Sequence, residues 1–237
     1  MCSWRWKRFA AGLPPLPAAP DKSIVCYVTD RKSLGSGAPA PGMLEKIRAA
    51  TQSGVDWIQI REKDLPAREL LALTRVAFSI AQSSADRALV IVNDRLDVAL
   101  AADAAGVHLG GESAPAREVI RWCRAGNASA GFRVGISCHN IQDVREAESS
   151  GADYVFFGPV FDTPSKKSYG APQGIARLKE TCGAVRIPVI AIGGVNETNA
   201  AECIRAGCSG IAAIRMFQEA KNFQALAETV AMLHRQI

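Results

Sequence analysis

From Ile24 onward, short β-branched or aromatic runs alternate with longer segments of helical period, and this regularity constrains the chain more than any other feature. The runs are Ile24 to Thr29, Trp57 to Ile60, Ala88 to Val92, Gly106 to Leu109, Phe132 to Ile136, Tyr154 to Phe157, Ile187 to Ile192 and Gly210 to Ile214. They are too short for helices and apolar enough for strands buried on both faces. Between and after them, helices are expected at Gly42 to Gln52, from Pro66, at Leu96 to Ala104, Pro115 to Arg124, Ile141 to Ser149, Gly174 to Cys182, Glu197 to Ala206 and Phe223 to Ile237. Pro66 suits a first helical turn, and Gly54 suits a helix end.

Eight strand–helix units in roughly 210 residues fit an α/β fold of one kind, a single (β/α)8 TIM barrel. The runner-up is an open doubly wound sheet with fewer strands. Two features favour the barrel. Gly54-Val55-Asp56-Trp57, Gly151-Ala152-Asp153-Tyr154 and Gly207-Cys208-Ser209-Gly210 recur as the entry from helix to strand, and no Gly-x-Gly-x-x-Gly follows the first strand. Residues 23–237 are therefore expected to form the barrel domain. Residues 1–22, with Trp, basic residues and a proline-rich run, are expected to be a disordered tail or an overextended start, since the prolines break any signal-peptide helix.

Charge and cysteines bound the function. Arg5, Lys7, Arg8 and Lys22 against Asp21 carry three of the net +5, so the remainder holds +2 and suggests no nucleic-acid surface. No apolar run approaches a membrane span. Seven cysteines, an odd number without a C-x-x-C pair, read as reduced thiols of a cytoplasmic protein.

In a barrel of this kind the chemistry sits where the strands end. Those ends hold Gln59, Arg61 and Lys63, then Asn93 and Asp94, His108 and Glu112, Ser137 and His139, Thr163, Ser165 and Lys166, Gly193 and Gly194, and Arg215. Hydroxyls and fixed cations in the loop from Asp162 to Lys167 suit an anion. Gly193-Gly194 lets backbone N–H groups approach a phosphate that a Cβ would block, with the N-terminus of a helix near Asn196 to add donors; its bland alternative is a tight turn needing positive φ. Arg61 and Lys63 flank Glu62 with the period of a strand, so both cations and Gln59 point to one side and suit a diphosphate; the alternative is a solvated strand end paired with Glu62 or Asp64.

Asp94 suits Mg²⁺, which takes few protein ligands beside phosphate and water, although capping of the helix at Leu96 is the commoner role for an Asn-Asp pair. A lone histidine on a strand such as His108 is more often a core residue than a catalyst. A Cys138–His139 dyad is disfavoured, because neighbours on an extended segment face opposite sides. His234 reads as surface, and Trp57 and Trp122 as packing.

Taken in order, Gln59-x-Arg61-x-Lys63, Asn93-Asp94-Arg95, Gly106-Val-His-Leu-Gly110, Gly135-x-Ser137-x-His139, Ala152-Asp-Tyr to Gly158-Pro-Val-Phe with Thr163-x-Ser165-Lys166, and Ile190-Ala-Ile-Gly-Gly194 resemble the thiamine phosphate synthase family over nearly all of Ile24 to Ile214. The resemblance implies an enzyme that joins hydroxymethylpyrimidine diphosphate to thiazole phosphate with Mg²⁺, releasing diphosphate. It implies that Gln59, Arg61, Lys63 and Asn93 hold the pyrimidine diphosphate and Asp94 the Mg²⁺. Lys166 would neutralise the leaving diphosphate, while Ser137, Thr163, Ser165 and Gly194 line the phosphate sites. Small-molecule substrates are the partners it implies.

Two positions depart from the family pattern. Ser113 stands where an Asp supplies a second Mg²⁺ ligand, leaving Glu112 as the substitute or the metal more weakly held, and Arg215 stands where Ser is usual. The alternatives are a TenI-like thiazole tautomerase, in which His139 would be the acid–base group, and a non-catalytic phosphate-ligand-binding barrel.

Overall fold

The computed structural model describes residues 22–35, 41–83, 87–163 and 171–235. Eight parallel strands follow one another around a closed barrel: β1 (Ile24–Val28), β2 (Trp57–Ile60), β3 (Leu89–Asn93), β4 (Gly106–Leu109), β5 (Arg133–Cys138), β6 (Tyr154–Phe157), β7 (Val189–Ile192) and β8 (Gly210–Ala213). Closure is made by β8 on β1, with Ile24 opposite Gly210 and Tyr27 opposite Ala213. Helices α1 (Pro41–Gln52), α2 (Ala67–Gln82), α3 (Leu96–Ala101), α4 (Ala116–Trp122), α5 (Ile141–Ser149), α6 (Gly174–Ala184), α7 (Ala200–Arg205), α8 (Arg215–Gln218) and α9 (Phe223–His234) complete the described elements with two short helical turns. The expected (β/α)8 TIM barrel is the one found.

Strand parity sorts the core into two layers. Ile24, Cys26, Val28, Trp57, Tyr154, Phe156, Ile190 and Ala212 form one apolar cluster inside the barrel. Their neighbours Val25, Tyr27, Ile58, Ile60, Val155 and Phe157 join the helices in the larger outer cluster. This is the period of two acting on strands buried on both sides. The interior is a plug, not a pore. Gly135 is part of it: a Cβ there would lie 2.1 Å from Cζ of Tyr154, so the glycine yields its space to the tyrosine ring. Trp57 meets Tyr154 edge-on at 4.7 Å between ring centroids and floors the barrel.

The recurring helix-to-strand entry has a structural cause. Gly54 and Gly151 adopt φ of 84° and 87°, ending a helix in the left-handed region. The aspartate two residues later then accepts a neighbouring strand's N–H: Val25 N donates to Asp56 (2.8 Å) and Val134 N to Asp153 (2.6 Å).

Several sequence expectations are corrected. Arg215–Gln218 forms a helix that directly follows β8. The seventh helix begins at Ala200, not Glu197, because the Asn196 side chain accepts from the N–H groups of Thr198 and Asn199 and holds those residues in a loop. His234, read as surface, is half-buried: its Nε2 lies 2.9 Å from Asp56, which also pairs with Lys22 at 2.7 Å. Trp57 is buried as expected, whereas Trp122 is 43% exposed. The six described cysteines are free thiols. Residues 1–21, and with them nearly all of the expected tail, lie outside the described residues, as do Ser165 and Lys166. Among the described residues no helix is long and apolar enough to cross a membrane.

Candidate active site

One step beyond the Trp57–Tyr154 floor, the inward positions turn polar: Gln59 on β2, Asn93 on β3, His108 on β4 and Ser137 on β5. They line a cavity of ≈ 450 Å³ together with Arg61, His139, Thr163, Gly193, Gly194 and Arg215. Ten of the residues singled out from the sequence are thus brought to one place. Three others, Lys63, Asp94 and Glu112, do not line it.

Lys63 requires a correction. β2 ends at Ile60, and Lys63 sits in an exposed turn, so the strand period that was to align it with Gln59 and Arg61 does not reach it. The bland alternative fails as well. Glu62 is 4% exposed and faces away from solvent, accepting from Thr29 Oγ1 (2.7 Å) and from Arg31 N (3.2 Å). Asp64 pairs with Arg31 (2.6 Å) and Lys32 (3.2 Å). Burial raises the Glu62 carboxyl above its ordinary value, against the hydrogen bonds from Thr29 and Arg31. Arg61 pairs with no carboxylate among the described residues.

A hydrogen-bonded row crosses the ends of β2 and β3. Gln59 Nε2 donates to Asn93 Oδ1 (3.0 Å), and Asn93 Nδ2 donates to Asp94 Oδ2 (3.0 Å). Ser113 donates its hydroxyl to the other Asp94 oxygen while accepting from Gly110 N (2.7 Å). Capping does not explain this pair: the residue that precedes α3 is Arg95, with no side-chain cap. Gln59 Oε1 is buried and has no partner among the described residues, leaving an acceptor for a ligand N–H. Asp94 is held at φ 64°, a left-handed conformation uncommon for a non-glycine residue. Ser113, not Glu112, is the neighbour that touches Asp94, and Glu112 is exposed. Among the described residues there is no cluster of three His, Cys, Asp or Glu side chains able to hold a metal.

Both histidines of the site are oriented by partners. His108 is buried, with Nε2 2.9 Å from Ser137 Oγ, Nδ1 3.3 Å from Tyr154 OH and its ring 4.2 Å from Phe156. It is a satisfied core residue and also part of the cavity wall. His139 sets Nδ1 2.5 Å from the Gly158 carbonyl, which places a proton on that nitrogen. Cys138 faces the other way; burial pushes its thiol up to about 12, and it is no nucleophile.

Gly193 and Gly194 adopt φ of 93° and 71°, so the turn does need positive φ. They also answer to close packing: a Cβ would lie 2.6 Å from Pro159 Cα at Gly193 and 2.6 Å from the Asp162 carbonyl at Gly194. The backbone of this loop thereby forms part of the cavity wall. The expected helix N-terminus contributes less, since Asn196 and Asn199 already take the N–H groups ahead of α7.

Asp30 and Ser33, which follow β1, also line the cavity and are missing from the residues singled out in the sequence. The same signal, a polar residue at a strand end, is present at Asp30.

With this geometry in place, comparison with known proteins is decisive. The family model described as thiamine monophosphate synthase matches residues 25–217. The chain belongs to the thiamine monophosphate synthase family. A relative from Geobacter sulfurreducens described as a putative thiamine-phosphate synthase is 42% identical over 190 residues, covering 79% of this chain and 83% of its own. The thiamine-phosphate synthase of Coprothermobacter proteolyticus is 37% identical over 213 residues, covering 90% and 95%. The solved structure of thiamine phosphate pyrophosphorylase from Pyrococcus furiosus superposes with a TM-score of 0.76 at 32% identity, covering 91% of this chain and 97% of that one. Membership in the thiamine monophosphate synthase family accounts for the shared order of the strand-end motifs.

Proposed function

We propose that this chain is a thiamine phosphate synthase, a transferase that couples hydroxymethylpyrimidine diphosphate with thiazole phosphate to give thiamine phosphate and diphosphate. The observation that carries the proposal is the convergence of Gln59, Arg61 and Asn93 with the Gly193–Gly194 loop, Thr163 and Arg215 around one cavity. A cation with no carboxylate partner among the described residues, together with a glycine loop and a second cation at the same cavity, suits two phosphorylated substrates.

In this reaction the bond between the pyrimidine methylene carbon and the diphosphate oxygen breaks, and its electron pair leaves with the diphosphate. The thiazole nitrogen then donates its lone pair to that carbon. No proton moves, so no nucleophile–base pair is needed. Stabilisation of the leaving anion and close positioning supply the rate. Arg61, just past the end of β2, meets the anion, and Lys166 is assigned to the same charge. Gln59 Oε1 accepts from the pyrimidine, and Asn93 holds the Gln59 amide in place. Ser137, Thr163, Ser165, Gly193, Gly194 and Arg215 receive the thiazole phosphate.

The donor set fits Mg²⁺: Asp94 offers one carboxylate at a strand end with the Ser113 hydroxyl against it, and this ion takes one or two carboxylates beside phosphate oxygens and water. Asp94 would hold it, with Glu112 as the more remote candidate, and bound Mg²⁺ would neutralise charge on the leaving diphosphate.

The test is coupling by the purified protein with Mg²⁺, repeated with Arg61→Ala and Lys166→Ala. Both variants should stay folded and lose at least about tenfold in kcat/KM, the effect of one charge-assisted contact of about 1.5 kcal/mol or more. Full activity in both would exclude these cations from the reaction. One observation favours a second reading: His139 lines the cavity with its Nδ1 proton fixed on Gly158, as an acid–base group of a thiazole tautomerase would need. Thiazole carboxylate tautomer conversion lost in His139→Ala, without coupling by the wild type, would establish it.

A further inference from the structure

The run Arg61-Glu62-Lys63-Asp64 sets cations beside carboxylates that would ordinarily capture them. The fold prevents this by drawing both acids toward the end of β1. Glu62 turns inward to Thr29 and Arg31, and Asp64 pairs with Arg31 and Lys32. Arg31 is itself buried, with Nε 3.7 Å from Glu62, so the two carboxylates already have their counter-cations. A second link runs back to the site. The Thr29 hydroxyl, fully buried, donates to Glu62 Oε1 and accepts the backbone N–H of Arg61 at 3.0 Å. One inward carboxylate thus orients a hydroxyl, and that hydroxyl fixes the backbone from which the Arg61 side chain enters the cavity.

We propose that Glu62 is a positioning residue for diphosphate recognition, acting through Thr29 on Arg61 while Arg31 and Lys32 keep the neighbouring acids from pairing with that guanidinium. Glu62 touches no substrate. Its effect belongs to the half of the cavity that Arg61 serves and should leave the Gly193–Gly194 half unchanged. The inference rests on the proposed role of Arg61 as a diphosphate ligand.

The experiment measures inorganic diphosphate binding by calorimetry, with KM for each substrate, in wild type, Thr29→Val, Thr29→Ser and Glu62→Gln. Thr29→Val keeps shape and removes the hydroxyl. Its Kd for diphosphate and KM for the pyrimidine diphosphate should rise roughly three- to tenfold, the worth of one hydrogen bond. The KM for thiazole phosphate should stay within about twofold, less than the same scale assigns to one bond. Thr29→Ser should restore binding, and Glu62→Gln, which keeps one acceptor, should fall between. If Thr29→Val does not fold, Glu62→Gln set against Thr29→Ser decides on the same readouts. Folded variants that bind diphosphate as wild type does, or that lose both substrates by the same factor, overturn the positioning role alone. A wild type that neither binds diphosphate nor couples the substrates overturns the synthase reading, and this inference with it.

Discussion

At the scale of single residues, the site depends on which groups are already paired. Asp94 meets a hydroxyl where a second carboxylate would bring more charge to a cation, so the Mg²⁺ proposed for it should be held less tightly than two acids would hold it. Ser113→Asp is expected to tighten Mg²⁺ binding, read by calorimetry on the folded protein, by about tenfold, since affinity follows ligand charge. Unchanged or weaker binding would show that Asp94 is not a ligand. Gln59, Asn93, His108 and Ser137 could be singled out because each is a polar residue at the end of an apolar run. Lys63 was misplaced for a reason local sequence does not carry. Nothing in Arg61 to Asp64 says that the β2 ladder stops at Ile60, after which Glu62 accepts from Thr29 and from Arg31 N beyond the end of β1. Glu62 reads in the sequence as a solvated partner of its basic neighbours, because nothing local shows that it packs against Thr29, some thirty positions away.

At the scale of elements, strands were the most legible, because burial on both faces leaves a continuous apolar run that helices do not share. α8 was not, since four residues at a strand end hold too little periodicity to read. The fit between β5 and β6 yields a direct test. Gly135→Ala pushes a methyl into the Tyr154 ring and should destabilise the protein by about 1–3 kcal/mol, seen in thermal unfolding; an unaltered Tm would mean that the ring does not fill that space.

A second test concerns the tie between α9 and the ends of β1 and β2. Burial alone would raise the Asp56 carboxyl, but hydrogen bonds from His234, Lys22 and Val25 N hold it below its ordinary value. A depressed folded-state value contributes stability that is complete above the unfolded value, about 3.9, and is lost as pH falls through the folded one. Asp56→Asn should therefore unfold at lower temperature than wild type at pH 7, with the gap narrowing below about pH 4. A gap constant with pH would remove Asp56 ionisation as its cause.

At the scale of the whole molecule, closure of β8 on β1 brings residues from opposite ends of the chain to one rim, with Asp30 and Ser33 beside Arg215. The Ser33 hydroxyl donates to Gln218, whose amide donates to the Asp30 carbonyl (2.8 Å), so the β1 loop is fastened to α8 across the seam. A sequence shows that eight units exist, but which strand-end residues meet across the barrel depends on closure, and only the folded chain contains that. This rim is the place where we propose that two phosphorylated substrates are coupled. The most direct measurement follows purified protein with hydroxymethylpyrimidine diphosphate, thiazole phosphate and Mg²⁺, quantifying thiamine phosphate and diphosphate together. Equal amounts of the two products, formed only when both substrates are present and abolished by chelation of the metal, are the predicted result. Absence of thiamine phosphate from folded protein that still binds thiazole phosphate would contradict the account.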